Sequence, residues 1–226
     1  MRRITIHQPQ YFPWVPYFQK IDECDLFIYL DSVQFQKNGL QNRNQIKTAA
    51  GAAWLTVPVQ HKSGQKIIDT QIEQSSHWQI KHWRTICQSY SKAPFFKIFE
   101  PQLERFYSQE WCNLSELNIA LVELHLEWMN ISVDTQRSSQ LASTGQGSDL
   151  ILNICKETGA DIYVAGPGAK NYLDFDSFER NGIAVEILGH NGGREYPQQH
   201  LKSGFVSDLS ALDLLLNCGS NWREYF

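Results

Sequence analysis

The residues best able to do chemistry gather in two stretches near the N-terminus of this 226-residue chain. The first, His7-Gln8-Pro9-Gln10-Tyr11-Phe12-Pro13-Trp14-Val15-Pro16-Tyr17, follows directly on the strand-like Ile4-Thr5-Ile6. An imidazole at a strand end can act as a general base or touch a phosphate, while Gln8 can orient a substrate. Tyr11 and Trp14 are further candidate contacts. The prolines at 9, 13 and 16 fix φ and remove backbone donors, so the chain leaves its strand at about Gln8 and runs irregularly to Tyr17. The same rings would also suit a proline-stiffened anchor packed into the core.

The second stretch, Gln34 to Thr48, is dense in amides and cations. Lys37, Arg43 and Lys47 supply positive charge, and Gln34, Asn42 and Asn44 offer donors and acceptors in fixed planes, a mixture suited to phosphate or carboxylate beside a sugar. Arg43 is the preferred anion contact because a guanidinium can grip two oxygens at once. An exposed polar loop would read the same way. Later positions add Asp31 at the end of a second strand, Gly166, Lys170 and Asp174 after a strand at 162–166, and Gln198 in Tyr196-Pro197-Gln198. Thr144-Gly145-Gln146-Gly147 precedes a helix and could hold an anion on free backbone N–H groups, or be an ordinary loop. Asp213, surrounded by leucines, reads as a buried hydrogen-bonding group with a raised pKa rather than a base. His77, His82 and His125 form no ligand pair on one helix face, so no metal site is expected. Lys81 and His82 could still be presented to an anion by their helix.

These groups must be held by regular elements, and the apolar pattern supplies them. Strands at 4–8, 26–31, 54–59, 162–166 and 183–187 alternate with helices, and their continuous apolar runs imply a sheet covered on both faces. Between about 76 and 131 the pattern becomes helical, broken at Ala93-Pro94, with Leu114 to Trp128 the cleanest amphipathic run. The expected fold class is α/β, a mainly parallel, open, Rossmann-like sheet with a helical insertion, built as one domain over 1–226. A net charge of −4 argues against a general nucleic-acid binder. Five scattered cysteines without metal spacing, no signal-like segment and no run of about 20 apolar residues point to a cytoplasmic protein with reduced thiols and no membrane insertion.

Five ordered motifs carry a resemblance. They are Ile-His-Gln-Pro-x-Tyr-Phe-Pro-Trp at 6–14, Leu-Asp-x-Val-Gln-Phe-x-Lys at 30–37, Asn-Arg-Asn-x-Ile-Lys at 42–47, Trp-Leu-Thr-Val-Pro-Val at 54–59, and the closing Tyr-Pro-Gln with Asp-Leu-Leu-x-Asn-x-Gly. Together they resemble the WbqC-like proteins over essentially the whole chain. That resemblance implies a place in bacterial O-antigen synthesis and a transferase that attaches glycine to a surface sugar. Pro16 stands where relatives carry glycine, which would stiffen the loop. The opening strand and loop are also similar to those of the HIGH-type nucleotidyltransferases and pantothenate synthetase. The corresponding turn, Trp14-Val15-Pro16-Tyr17, lacks both histidines of that motif, so phosphate contact would fall to His7, Lys37, Arg43 and Lys47.

The leading expectation is therefore transfer of an aminoacyl or acyl group to a sugar or nucleotide sugar. ATP with Mg is the candidate activating cofactor, because acylation from a free carboxylate is uphill. Nucleotidyl transfer to a sugar or small alcohol, and nucleotide-sugar binding without chemistry, are the alternatives. A homodimer is left open.

Overall fold

The computed structural model describes residues 1–189 and 194–226. The chain enters through β1 (Arg3–His7), turns through α1 (Val15–Asp22) and returns in β2 (Leu26–Tyr29). It then makes two hairpins, β3 (Arg43–Thr48) with β4 (Gly51–Thr56) and β5 (Val59–Gln60) with β6 (Gln71–Ile72). Three helices follow: α2 (Trp78–Tyr90), α3 (Phe96–Ser108) and α4 (Leu114–Trp128). Strand β7 (Asp134–Arg137), helix α5 (Gly147–Glu157), strand β8 (Ile162–Ala165), helix α6 (Phe175–Arg180), strand β9 (Ala184–Ile187) and helix α7 (Ala211–Cys218) complete the chain.

The main sheet has five parallel strands in the order β7-β2-β1-β8-β9. Its period of two divides the core. Ile4, Ile6, Leu26 and Ile28 face α5 and α6, whereas Phe27 and Tyr29 face α1, the three-helix insertion and α7. Both faces are covered, which is why β2 is buried at every position. In chain order the sheet reads third, second, first, fourth, fifth, so the winding reverses when the chain crosses from β7 at one edge to β8 on the far side of β1. The crevice at the C-terminal ends of β1 and β8 is the topological switch point of this Rossmann-like α/β sheet.

Three elements differ from expectation. The run at 54–59 is not part of the parallel sheet. Only Ala49 and Ala50 separate β3 from β4, and so short a link permits only an antiparallel hairpin. The second half of the amide-rich stretch is strand β3 rather than loop, with Asn44, Ile46 and Lys47 buried, while residues 35–42 are turns and irregular chain. Strand β7, which carries no apolar run, is an added member of the sheet; as an edge strand it has one face and one ladder exposed and needs no hydrophobic pattern. Helix boundaries lie closer to expectation, with the break at Ala93-Pro94 falling between α2 and α3. Pro16 sits in the first turn of α1, where a missing N–H costs nothing. Among the described residues, no helix is long and apolar enough to cross a membrane.

Candidate functional site

At the switch point the polypeptide surrounds a cavity of about 410 Å3, lined by His7 from the end of β1, Trp14, Pro16, Tyr17, Gln19 and Lys20 from α1 and its entry, Gly166 and Gly168 after β8, and Leu188 and Gly189 after β9. The position follows from the sequence locally. Pro9 and Pro13 prevent β1 from continuing, and the two glycines after β8 leave room for a ligand to approach the backbone. Asn118 Nδ2 donates to Pro9 O at 3.1 Å and to Gln41 O at 2.7 Å, so α4 holds the proline loop in place. The walls are mostly apolar, from Trp14, Pro16, Tyr17, Pro167 and Leu188.

Besides the Tyr17 phenol, two titratable side chains line this enclosure. The His7 ring packs edge-on against Tyr17 with centroids 4.7 Å apart, and its Nδ1 lies 3.1 Å from Gln8 O. A carbonyl only accepts, so Nδ1 carries the proton and Nε2 keeps a bare lone pair. Burial, helped by the charge of Lys20, lowers the His7 pKa to about 3, and the ring is neutral at physiological pH. Lys20 lies on the buried side of α1, only 5% exposed. Burial lowers its pKa to about 8. Its neighbour Cys24 gives it no counter-charge, because burial pushes that thiol up to about 12, and Cys24 Sγ donates to Lys20 O at 3.2 Å.

The sequence signature of the WbqC-like protein family spans residues 8–225. The chain belongs to the WbqC-like family. It is 36% identical over 228 residues to an uncharacterized protein of Mycobacterium tuberculosis, Rv1507c, covering 100% of this chain and 97% of that one. No solved structure matches the chain.

In this WbqC-like chain the residues singled out from the sequence do not form one cluster. His7, Trp14 and Gly166 line the switch-point cavity. Gln8 lies beside it, its Oε1 accepting from Gln41 Nε2 at 2.7 Å. Tyr11 is fully buried, and its hydroxyl shares hydrogen bonds with His82 Nδ1 at 2.8 Å and the Tyr107 hydroxyl at 2.6 Å. Asp31 is equally buried; it accepts from Ser138 Oγ, Ser139 N and Ser139 Oγ at 2.8–3.0 Å and ties the end of β2 to the end of β7. Asn42 and Asn44 donate to Val57 O at 2.9 Å and Phe12 O at 2.6 Å.

The cations expected to hold phosphate are placed elsewhere. Lys37 is exposed in a turn. Arg43 stacks 4.5 Å over Trp54 and donates to Asn38 O at 2.6 Å. Lys47 is 1% exposed, its Nζ donating to Gln198 Oε1 at 3.0 Å and Gly204 O at 2.5 Å. Lys47 shares its face of β3 with Arg43 and Gln45, opposite the buried Asn44 and Ile46, and is covered there by Gln198, which links it to Asp213 by donating from Nε2 to Oδ2 at 3.0 Å. Asp213 also accepts from the hydroxyls of Tyr90 at 2.6 Å and Tyr196 at 2.8 Å, and burial raises its pKa, as its leucine-rich surroundings imply. Lys170 is exposed, and Asp174 caps α6 by accepting from Ser177 N and Oγ. Gln34 lines a separate cavity of about 620 Å3 at the end of β2, with Lys66 and the Ser143–Gly147 loop. That cavity is larger, but its one lining cation is exposed and no buried titratable group opens into it. Among the described residues, no group of three or more His, Cys, Asp or Glu could hold a metal ion.

Lys20 is the residue that motif reading missed. Its signal is a cation within the buried stripe Tyr17, Phe18 and Ile21 of a short helix directly after the first strand.

Proposed function

We propose that the switch-point cavity binds a sugar or nucleotide sugar, and that this WbqC-like protein transfers an aminoacyl or acyl group, glycine foremost, onto it in surface-polysaccharide synthesis. The observation that carries the reading is a neutral His7 with a bare Nε2 lone pair, at the C-terminal end of β1 and in the wall of a sugar-sized, largely apolar cavity. Acyl transfer requires the acceptor O–H or N–H to be oriented and finally relieved of its proton. His7 Nε2 accepts that hydrogen bond, and negative charge developing in the cavity raises its basicity as the proton moves. Trp14 and Tyr17 contribute aromatic surface to the cavity wall that suits the apolar face of a sugar, and Gly166 and Gly168 admit a phosphate or carbonyl close to backbone. ATP with Mg remains the proposed source of carboxyl activation.

The test is a thermal-shift screen of ATP with and without Mg, nucleotide sugars and amino sugars, followed by mass spectrometry of mixtures containing glycine. A ligand at about 100 times its Kd stabilises by about 2.7 kcal/mol, or roughly 5–11 °C in a domain of this size. His7→Gln should retain the shift and lose turnover. A nucleotide-sugar shift without turnover supports binding alone, pyrophosphate release without amino acid supports nucleotidyl transfer, and a flat response to every compound overturns the site.

A further inference from the structure

Two lysines are buried in this chain, and only one has a structural reason to be. Lys47 gives its ammonium to two acceptors and lies one glutamine away from the Asp213 carboxylate. Lys20 has no hydrogen bond or ion pair to its ammonium among the described residues, and it is one of the residues that line the switch-point cavity. An unpaired ammonium in an apolar enclosure is unfavourable to folding, and a helix of this size would be served as well by leucine or methionine at that position. The groups near it are no substitute for a counter-ion: His7 from β1 is neutral, and the Cys24 thiol beyond the end of α1 stays protonated. What the placement does achieve is a largely desolvated amine in the wall of the same cavity as a proton acceptor, His7, in a space a small molecule can enter.

We propose that Lys20 is the reactive amine of this cavity and captures a small carbonyl compound, an aldehyde or ketone of sugar size, as an imine. This rests on the reading that the cavity takes a sugar-like ligand, and adds that the ligand carries a free carbonyl. The neutral Nζ attacks the carbonyl carbon; the N–C bond forms and the C=O π pair moves to oxygen. One Nζ proton passes through His7 Nε2 to that oxygen, giving a carbinolamine. The C–O bond then breaks, hydroxide leaves with the remaining proton as water, and C=N forms. Amine and carbonyl become imine and water, with no oxidant or further reactant, and hydrolysis reverses the step. With the pKa lowered from 10.5 to about 8, Lys20 has at pH 7 roughly 300 times the free-amine fraction of an ordinary lysine.

Reductive trapping on the wild-type protein tests this without a variant. Glyceraldehyde and cyanoborohydride are added across pH 6–10, and labelled lysines are mapped by peptide mass spectrometry, with exposed Lys62 and Lys97 as internal references. Lys20 should label at least about tenfold faster than either at pH 7, with a midpoint near pH 8 rather than above 10. Lys20 labelling no faster than the references, or only at their pH, overturns the proposal. The outcome is separable from the transferase reading. Fast Lys20 labelling with a flat ligand screen removes the transferase reading and leaves the amine; a nucleotide-sugar shift with an inert Lys20 does the reverse.

Discussion

Replacing Lys20 by methionine should stabilise the protein at neutral pH, because it removes a buried charge while keeping an unbranched side chain in the same groove. The ordinary lysine value is 10.5 and burial brings Lys20 to about 8. At about 1.4 kcal/mol for each pH unit, the gap sets a ceiling of about 3 kcal/mol, or roughly 6–12 °C in Tm for a chain of this length. The sign follows from proton counting. Below pH 8 the folded and unfolded chains both carry the ammonium, and the full penalty of burying it is present. Between pH 8 and 10.5 the unfolded chain binds more protons, so this group's contribution to wild-type stability improves as pH rises, and the advantage of Lys20→Met fades. Calorimetry of both proteins from pH 6 to 10 reads the effect directly. A second readout is His7, whose low pKa owes part of its depression to Lys20 and should rise in the variant, as followed by its imidazole NMR resonance. A variant less stable than wild type at pH 7, or a difference that is the same at pH 7 and pH 10, would refute the claim that this ammonium is unpaired and desolvated. A gain in stability with loss of activity is the pattern expected where a functional group is held against its solvation preference.

The same substitution at the other buried lysine should have the opposite sign: Lys47→Met leaves Gly204 O without its donor and costs about 1–3 kcal/mol, measured by urea midpoint. Acid should destabilise the fold steeply. Burial holds His7 at about 3 and His82 and His125 at about 4, so below pH 6.5 the unfolded chain binds up to three more protons and stability falls by up to about 4 kcal/mol per pH unit. Asp213, its pKa raised, opposes this by at most one proton; a slope of one proton or less between pH 6 and 4.5 would contradict the buried neutral histidines. Gly219→Ala should lower Tm, since Gly219 has φ +68° at the end of α7 and a Cβ there would lie 2.6 Å from Phe95 Cε1; a cost below about 1 kcal/mol would mean that Phe95 moves aside freely.

Three strands of the sheet are legible because a parallel sheet covered on both faces demands continuous apolar runs, and Ile4 to Ile6, Leu26 to Tyr29 and Ile162 to Ala165 supply them; edge strand β9 shows instead in the alternation of Ala184 to Ile187. The prolines that end β1 and the glycines that follow β8 likewise marked the two ends that meet at the switch point. The apolar run at 54–59 marks a strand but not its partner, because strand propensity carries no pairing information, and β7 leaves no apolar trace because an edge strand is under little pressure to be apolar.

Residue type along the chain determined that His7 ends the first strand and that amides and cations crowd 34–48. It could not determine which way those cations point. That was decided in three dimensions, where Arg43 and Lys47 share one face of β3 but Gln198 covers Lys47 and links it to Asp213, while Trp54 takes Arg43. Lys20, unremarkable as a letter, acquires its meaning only when α1 packs beside β1 and closes an apolar cavity around it. The physical reason is that charge and polarity belong to a side chain, whereas desolvation and the presence of a partner belong to its surroundings, and those are assembled from segments more than 140 residues apart, as the pairing of His7 with Gly166 across the cavity shows.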